Sequence, residues 1–323
     1  MAWNKPDIKE GYLVMQESTF QMLDSDEVNI YVYRWTPEGH IPVKGIVQIA
    51  HGMCETAKRY EELASTLTDH GYIVYGNDHR GHGITGMAQG MLGDGGPDVF
   101  NWMVKDVAEL GEYIRKEQPE LPLFLLGHSM GSFITQKLMY AYPDLFDGYI
   151  LSGTNGKRGL LKFGQRLAAL QAGLQGQEHR SLLLNAIIFG GYNRAFRPAA
   201  TPFDWLSNDK EEVRKFVEDP MCGAICTTRF FRCFFDLLME IHLPKHMSKI
   251  PKDKPVYIFS GERDPVGMYG KGVMSLVENY RELQFTDLQY RLYPDGRHEM
   301  LHEVNRKEVE LHLVDWLEQH VQQ

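Results

Sequence analysis

The sequence predicts an α/β fold in which a mostly parallel sheet is covered by helices. From Gly45 onward, short apolar segments of strand length alternate with amphipathic segments of helical length, which is typical of such a sheet. The strand signal stops once, over residues 156–249, where the sequence indicates helices and loops. We therefore expect a core in two parts, residues 1–155 and 250–323, with a mainly helical cap inserted between them.

The core elements follow in order along the chain. Residues 17–34 predict a β-hairpin whose turn is 24–27, and strands are predicted at 45–50, 72–77, 122–127, 148–152, 255–261 and 288–293, of which 255–261 is expected to be buried. Apolar side chains at helical spacing predict three core helices. Their apolar stripes are Tyr60, Leu63, Ala64 and Leu67; Val99, Met103, Val107, Leu110 and Ile114; and Val309, Leu313, Trp316 and Leu317.

The strand at 122–127 runs directly into the sequence Gly-His-Ser-Met-Gly at 127–131. A serine at the tip of a tight strand-to-helix turn projects its hydroxyl away from the backbone, and flanking glycines let strand and helix approach closely. Apolar residues at helical spacing follow, so the context that this nucleophile elbow requires is present. Ser129 is therefore our candidate nucleophile.

A serine hydroxyl needs a histidine base and a carboxylate that orients it, in the chain order Ser, Asp/Glu, His. The turn after the strand at 255–261 contains Glu262 and Asp264, and we favour Asp264 because Glu262 is better explained by packing. The turn after the strand at 288–293 leads to His298, our candidate base; the alternative is a surface loop histidine. No carboxylate follows the strand at 148–152.

Catalysis also requires two N–H groups that stabilise an oxyanion. One is expected from Met130, directly after the nucleophile. The other is expected from Met53, in the loop that follows the strand at 45–50. Because backbone groups do this work, the two side chains should matter mainly through their shape.

Residues 298–302 read His-Glu-Met-Leu-His, a literal match to a zinc-binding motif that places two histidines on one helix face. The context argues against zinc. The segment begins directly after a Pro-Asp-Gly turn, whereas a zinc-binding helix should already have begun, and no clear third ligand follows.

Residues 81–86 match the G-x-G-x-x-G pattern of dinucleotide sites, which should open a helix. The chain continues through Gly90, Gly93, Gly95, Gly96 and Pro97, which a helix would not tolerate. We therefore predict a loop here.

Composition narrows the functional classes. A formal net charge of −9 without a basic run argues against nucleic acid as a partner. Residues 1–10 lack the apolar core of a signal peptide, and no apolar stretch is long enough to span a bilayer.

The four cysteines contain no C-x-x-C pair. We interpret them as free thiols, mostly small buried apolar groups, which indicates a reducing, cytoplasmic compartment.

Several motifs together resemble the α/β-hydrolase superfamily, and more narrowly its monoacylglycerol lipase and lysophospholipase branch. They are the segments 51–55, 59–60, 78–83 and 127–131, with Asp264 and His298. The resemblance covers both core parts and is weak across the cap. It implies an α/β-hydrolase fold, a triad of Ser129, Asp264 and His298, and an oxyanion hole from Met53 and Met130. It also implies that Asp78, His79, Arg80 and His82 support the loop beneath the site.

The chain departs from the family pattern at one position. Where the family has H-G-x-G-E, this sequence has Cys54 in place of the second glycine. Cys54 lies beside the expected oxyanion donor Met53, so it is also a candidate site for thiol reagents.

We expect a serine ester hydrolase that cleaves monoacylglycerol- or lysophospholipid-like esters through an acyl-enzyme, with no cofactor and no metal. Transient membrane contact through the cap and the oligomeric state stay open. The alternatives are an acyltransferase, a serine aminopeptidase, a non-catalytic ligand binder, and a zinc peptidase using His298 and His302. An aminopeptidase should grip a free amine with cap carboxylates; the candidates, which fit a solvated face equally well, are Asp204, Asp209, Glu211, Glu212 and Asp219.

The predicted cap is rich in apolar side chains. They are Leu160, Leu161, Phe163, Leu167, Leu170 and Leu174, with those in the runs 182–189 and 230–241. Either all of them form the core of the cap, or some pack on the main core and some line a cavity above Ser129.

Overall fold

The computed structural model describes residues 15–321, so the N-terminal segment 1–10 lies outside the described residues. One sheet contains eight strands in the order β1-β2-β4-β3-β5-β6-β7-β8. The strands are β1 (Gln16–Leu23), β2 (Asn29–Thr36), β3 (Gly45–Ala50), β4 (Tyr72–Asn77), β5 (Leu123–His128), β6 (Gly148–Ser152), β7 (Val256–Gly261) and β8 (Leu288–Tyr293).

Helices connect most of these strands. They are α1 (Glu61–Asp69), α2 (Gly83–Ala88), α3 (Val99–Glu117), α4 (Met130–Ala141), α5 (Leu161–Gln175), α6 (Leu182–Phe189), α7 (Lys210–Glu218), α8 (Thr228–Glu240), α9 (Pro244–Met247), α10 (Lys271–Glu282) and α11 (Arg306–His320). Short 3-10 helices lie at Ala57–Tyr60, Tyr192–Phe196 and Met300–His302. None of the helices within residues 15–321 combines the length and apolar character that a membrane-spanning helix requires.

The sheet is mostly parallel, as predicted. β2 pairs antiparallel with β1 and β4, and the remaining neighbours, from β4 through β3 to β8, pair in parallel. The predicted hairpin is β1 and β2, and every predicted strand is present.

Both faces of the central strands β3 to β7 are buried, whereas the outer strands β1 and β8 are largely exposed. Side chains alternate between the faces of a strand, and in β5 Leu123 and Leu125 pack with helices α3 and α4, whereas Phe124 and Leu126 pack with α1 and α11. A strand buried on both faces is apolar at every position, which explains the continuous apolar runs in the sequence. The predicted packing of helices on both faces of the sheet is confirmed.

The parallel strands place a site at one edge of the sheet. β3 and β5 are neighbours in the sheet. The chain continues from β3 to β4 on one side of this pair and from β5 to β6 on the other side. Ligands of open α/β sheets bind at the carboxyl ends of the strands where the order reverses. Ser129 follows β5 at this edge, and the loop 51–55 follows β3.

The prediction of a loop at residues 81–86 is wrong in part, because Gly83–Ala88 forms the short helix α2. Asp78 Oδ2 accepts a hydrogen bond from the N–H of Ile84 at 2.7 Å, which satisfies one donor of its first turn. Gly86 lies so close to the backbone of Gly81 that a Cβ there would overlap it. The glycines therefore permit close packing of a six-residue helix, which ends before Gly90.

Between β6 and β7 the chain forms helices α5 to α9, and only one isolated bridge, between Arg180 and Thr227, is found there among the described residues. We refer to residues 156–249 as the inserted segment. Helix α8 packs against α5, and its Phe230 and Phe231 are fully buried with the core side chains of α3 and α4. The segment is therefore anchored on the same side of the sheet as α3 and α4.

Candidate active site

Ser129 occupies a strained turn between β5 and α4. Its φ of 50° and ψ of −116° lie in a region that side chains rarely adopt, and its N–H donates to the carbonyl of Ser152 at 2.9 Å. A Cβ at Gly131 would overlap the carbonyl oxygen of Ala50, and one at Gly127 would overlap that of Gly131. These contacts give the physical reason why glycines flank the serine.

His298 and Asp264 meet in the interior. His298 Nδ1 lies 3.0 Å from Asp264 Oδ2, and both side chains are almost completely buried. The same carboxylate accepts hydrogen bonds from the Ser260 hydroxyl at 2.9 Å and from the Val266 N–H at 2.8 Å. Asp264 therefore faces the imidazole, and the expectation that Glu262 takes part in packing is wrong, because Glu262 is exposed.

Three loops converge around Ser129. Ser129 and His298 line the same cavity. Gly52, in the loop after β3, lies so close that a Cβ there would be 3.4 Å from the Cβ of Ser129. A Cβ at Gly153 would lie 2.9 Å from His298 Cε1 and 3.1 Å from His128 Cε1. Glycines at both positions therefore leave room for the serine and the two imidazole rings.

The environment of His298 raises its pKa. Burial alone would lower it, but the charge and hydrogen bonding of Asp264, together with the charges of Glu299 and Glu55, outweigh the burial. The neighbouring ring of His128, 4.8 Å away, behaves oppositely: burial, and then His298, lower the pKa of His128 to about 3. Of the two rings, His298 is the one suited to take up a proton.

We expect kcat/KM for an ester to fall as the pH drops through the raised pKa of His298, because only a neutral imidazole accepts the proton of Ser129. The midpoint of this acidic limb should lie above about 6.5, the ordinary histidine value. The measurement is a kcat/KM profile from about pH 5 to about pH 9. Asp264→Asn should move the midpoint of residual activity downward, and a wild-type midpoint below 6.5 would contradict the assignment.

The N–H groups of Met53 and Met130 are both available to a ligand. Met130 is the first residue of α4, and the first N–H groups of a helix have no acceptor within it. Met53 is half-buried in the turn after β3 and lines the cavity of Ser129. Neither N–H donates to another group within residues 15–321.

A buried ion network joins the loop 51–55 to the segment after His298. The Arg59 guanidinium donates to both carboxylate oxygens of Glu299, at 2.7 and 2.8 Å, and to Glu55 at 2.5 Å. Glu55 in turn accepts from the Gly52 N–H at 2.5 Å and from the Tyr60 hydroxyl at 3.0 Å. Although burial would raise the pKa of Glu299, Arg59 holds it well below its usual value.

Sequence reasoning missed this network. Arg59 entered only through the family resemblance, and Glu299 only as the glutamate of a zinc motif. The one available signal was that Glu299 directly follows the candidate base.

The zinc interpretation of residues 298–302 does not match the geometry. His298 faces Asp264, Glu299 is paired with Arg59, and His302 Nε2 lies 3.0 Å from the Arg59 carbonyl oxygen. Residues 300–302 form one turn of 3-10 helix and not an α-helix that would align the two histidines. Within the described part of the chain, no three His, Cys, Asp or Glu side chains converge so as to hold a metal ion.

The polar residues at 78–82 lie behind the site. Asp78 Oδ1 accepts from the Ala57 N–H at 2.8 Å and from the Thr56 hydroxyl at 2.7 Å, and Arg80 forms buried ion pairs with Asp24 and Asp106. None of the residues 78–82 lines a cavity that reaches Ser129. These contacts favour the expected supporting role.

Two cavities reach Ser129. One, of about 300 Å³, is bordered by the loop 52–55, His298 and residues 223–225. The other, of about 470 Å³, is lined mainly by apolar side chains, more than half of them from α4, α5, α6 and α8, and Lys157 and Arg158 also border it. Met53, Ser129, Phe189 and Trp205 border both, so the serine lies between the two spaces.

The apolar side chains of the inserted segment divide into three groups. Phe230, Phe231 and Leu237 are buried in the core. Of the apolar residues named in the sequence analysis, nine line the second cavity: Leu160, Leu161, Phe163, Ile187, Ile188, Phe189, Phe234, Phe235 and Leu238. Leu170, Leu174, Leu182 and Leu183 are exposed and line neither cavity, so neither interpretation of the sequence describes them.

The chain is similar to known proteins over most of its length. The family model described as "Serine aminopeptidase, S33" matches residues 41–305. The monoglyceride lipase of Mus musculus is 25% identical to this chain over 292 residues, which cover 88% of each chain. The monoacylglycerol lipase of Mycolicibacterium smegmatis is 27% identical over 294 residues, which cover 89% of this chain and 92% of the relative. A carboxyl esterase structure from Bacillus coagulans superposes with a TM-score of 0.87 at 27% identity, covering 95% of this chain and all of that one.

Proposed function

Because the chain belongs to the serine aminopeptidase S33 family and has the α/β-hydrolase fold, we propose that it hydrolyses the carboxylic ester of a monoacylglycerol- or lysophospholipid-like lipid through an acyl-enzyme. The names of its relatives support an ester substrate. The observation that carries the proposal is the mostly apolar cavity that Ser129 borders, since it offers an acyl chain an apolar surface next to the nucleophile.

The proposed residues act in sequence. Ser129 Oγ attacks the ester carbonyl carbon while His298 takes its proton, and Asp264 holds the imidazole in the required tautomer. The N–H groups of Met53 and Met130 donate to the oxyanion of the tetrahedral intermediate. His298 then gives the proton to the leaving alcohol oxygen, and water cleaves the acyl-enzyme by the same steps in reverse.

We assign the larger apolar cavity to the acyl chain and the smaller one to the alcohol. The smaller cavity combines apolar walls with the polar groups of Glu55, Asn185, His298 and Glu299, which suits a hydroxylated leaving group. Under this assignment residues 156–249 act as a cap, because they supply most of the wall that covers the acyl chain.

Aminopeptidase activity is the second candidate, because the family description names it. The carboxylates that could grip a free amine are engaged elsewhere: Asp204 accepts from residues 200 and 201, and Asp209 begins α7 and pairs with Arg306. None of Asp204, Asp209, Glu211, Glu212 and Asp219 borders either cavity at Ser129. The carboxylates that do, Glu55 and Glu299, are paired with Arg59. This arrangement favours an ester over an aminoacyl amide.

The experiment is one panel of initial rates on 4-nitrophenyl esters of increasing acyl length, a monoacylglycerol, a lysophospholipid and an aminoacyl amide, with the Ser129→Ala protein as blank. We expect kcat/KM to be at least about 100-fold higher for the preferred lipid ester than for the amide, because the site has no free carboxylate for the amine. A preference for the amide would favour the aminopeptidase. Absence of Ser129-dependent turnover on every substrate would favour a non-catalytic binder.

A further inference from the structure

Two cysteines that are far apart in sequence meet beside the candidate oxyanion loop. Cys54 Sγ lies 3.3 Å from Cys226 Sγ, across 172 residues of sequence, and both are free thiols. Cys54 follows Met53 in the loop after β3, whereas Cys226 lies in the inserted segment just before α8. The pair therefore spans the contact between the core and the inserted segment.

The two thiols differ in access. Cys54 is 9% exposed and lines the smaller cavity together with Ser129, whereas Cys226 is 1% exposed and lies behind that wall. A small molecule that enters the cavity therefore meets Cys54 first. Cys54 and Cys226 are buried free thiols, as interpreted from the sequence, whereas Cys222 and Cys233 are only half-buried.

The backbone holds Cys54 in an unusual conformation. Its φ of 57° lies in the left-handed region that favours glycine. Cys54 therefore adopts a backbone conformation that is unfavourable for a residue with a side chain. The Cys54 carbonyl accepts from the Gly223 N–H at 2.9 Å, and its thiol lies 3.0 Å from the Ala224 carbonyl oxygen. The Cys226 carbonyl accepts from the Ser181 N–H at 3.0 Å, so both residues are fixed in place.

The surroundings also favour the thiolate of Cys54. Hydrogen bonding from Cys226, in spite of burial and with help from His82, lowers the pKa of Cys54 to about 6. Burial and the negative character of Cys54 raise the pKa of Cys226 well above its usual value. Because Cys54 is also the thiol that borders the cavity, we take it as the group that is oxidised first and Cys226 as its partner.

We propose that Cys54 and Cys226 form a redox site in which a hydroperoxide oxidises Cys54 from the cavity and Cys226 resolves the product to a disulfide that lowers turnover at Ser129. The Cys54 sulfur attacks a peroxide oxygen, the O–O bond breaks, and Cys54 becomes a sulfenic acid. The Cys226 sulfur then attacks the Cys54 sulfur, the S–O bond breaks and water leaves. In sum, two thiols and one hydrogen peroxide give one disulfide and two waters.

The disulfide should displace the oxyanion loop. The two sulfurs must close from 3.3 Å to the about 2.05 Å of an S–S bond, and the Cys54 contact with the Ala224 carbonyl is lost. Met53, whose N–H we assign to the oxyanion hole, is the adjacent residue. Because a shift of about 1 Å in a catalytic group can cost about 100-fold in rate, we expect at least a roughly tenfold loss of kcat. This effect on turnover rests on the proposed function, whereas formation of the disulfide does not.

The test begins with the bond itself. The reduced full-length protein is treated with hydrogen peroxide, alkylated and digested with trypsin, and the expected product is a disulfide between peptides 45–58 and 216–229 that dithiothreitol removes. Cys222 lies in the same peptide as Cys226, so Cys222→Ser must retain the cross-link and Cys226→Ser must abolish it. In Cys226→Ser, dimedone should instead trap the sulfenic acid on Cys54. Cys233→Ser is the matched control and should still form the cross-link.

Turnover is then measured on the same samples. We expect oxidised wild-type protein to lose at least about tenfold in kcat and to recover with dithiothreitol. A folded wild-type protein that forms no 45–58/216–229 cross-link would overturn the redox site, and a fully cross-linked protein with unchanged kcat would overturn its control of turnover. Ser129→Ala should form the same disulfide, so a cross-link without any Ser129-dependent turnover would count against the proposed function and not against the redox site.

Discussion

Replacing Ser129 by alanine is expected to lower kcat for the preferred ester by about 10⁴- to 10⁶-fold, because the variant has no oxygen to form the acyl-enzyme. The backbone should keep its conformation, since it is held by the Ser152 carbonyl and by the close packing of Gly127 and Gly131. The measurement is kcat under saturating substrate, with the unfolding temperature as a check on folding.

A suitable control for the serine variant is Ser18→Ala, an exposed position in β1 away from the site. It should keep wild-type kcat. A Ser129→Ala protein that retained most of its activity would refute the assigned nucleophile.

Replacing Asp264 by asparagine is expected to lower kcat by about 10⁴-fold, the loss seen when the triad carboxylate of a serine protease is changed in this way. An amide of similar shape can donate to the imidazole where the carboxylate only accepts, so His298 would present the wrong tautomer to Ser129. The charge that raises the pKa of His298 is lost as well.

Glu262→Gln is the matched control for Asp264→Asn, because Glu262 lies two residues away, is exposed and was the other carboxylate considered for this role. It should have kcat close to the wild-type value. A large loss in Glu262→Gln with little loss in Asp264→Asn would reverse the assignment. Unfolding curves of both variants are needed, since Asp264 also accepts bonds from Ser260 and Val266.

Much of the core could be predicted because its physical signals are local. A strand buried on both faces must be apolar along its length, and the elbow at Ser129 requires small residues on each side, so both leave a mark in a short stretch of sequence. The helix α2 was missed because the glycines that suggested a loop, at 90–96, lie beyond its end, whereas Gly81 and Gly86 serve a close contact. That contact is tertiary, and glycine content alone does not reveal it.

The contacts that escaped prediction join distant parts of the chain. Arg59 and Glu299 are 240 residues apart, and Cys54 and Cys226 are 172 apart. No local sequence pattern around these residues identifies the residue that each of them contacts. For the inserted segment, amphipathic spacing shows which residues are apolar but not whether they face the core, the cavity or solvent, and Leu174, 78% exposed, illustrates the third case.

The ion network of Glu55, Arg59 and Glu299 makes activity a test of complete folding. Glu55 and Arg59 follow β3 whereas Glu299 follows β8, so the network is complete only when both strands have their places in the sheet. In a partly folded molecule the buried charges lack their partners, which is costly, and the loop of Met53 is not held against the segment of His298. We therefore expect turnover to require both segments in place as well as Ser129 itself.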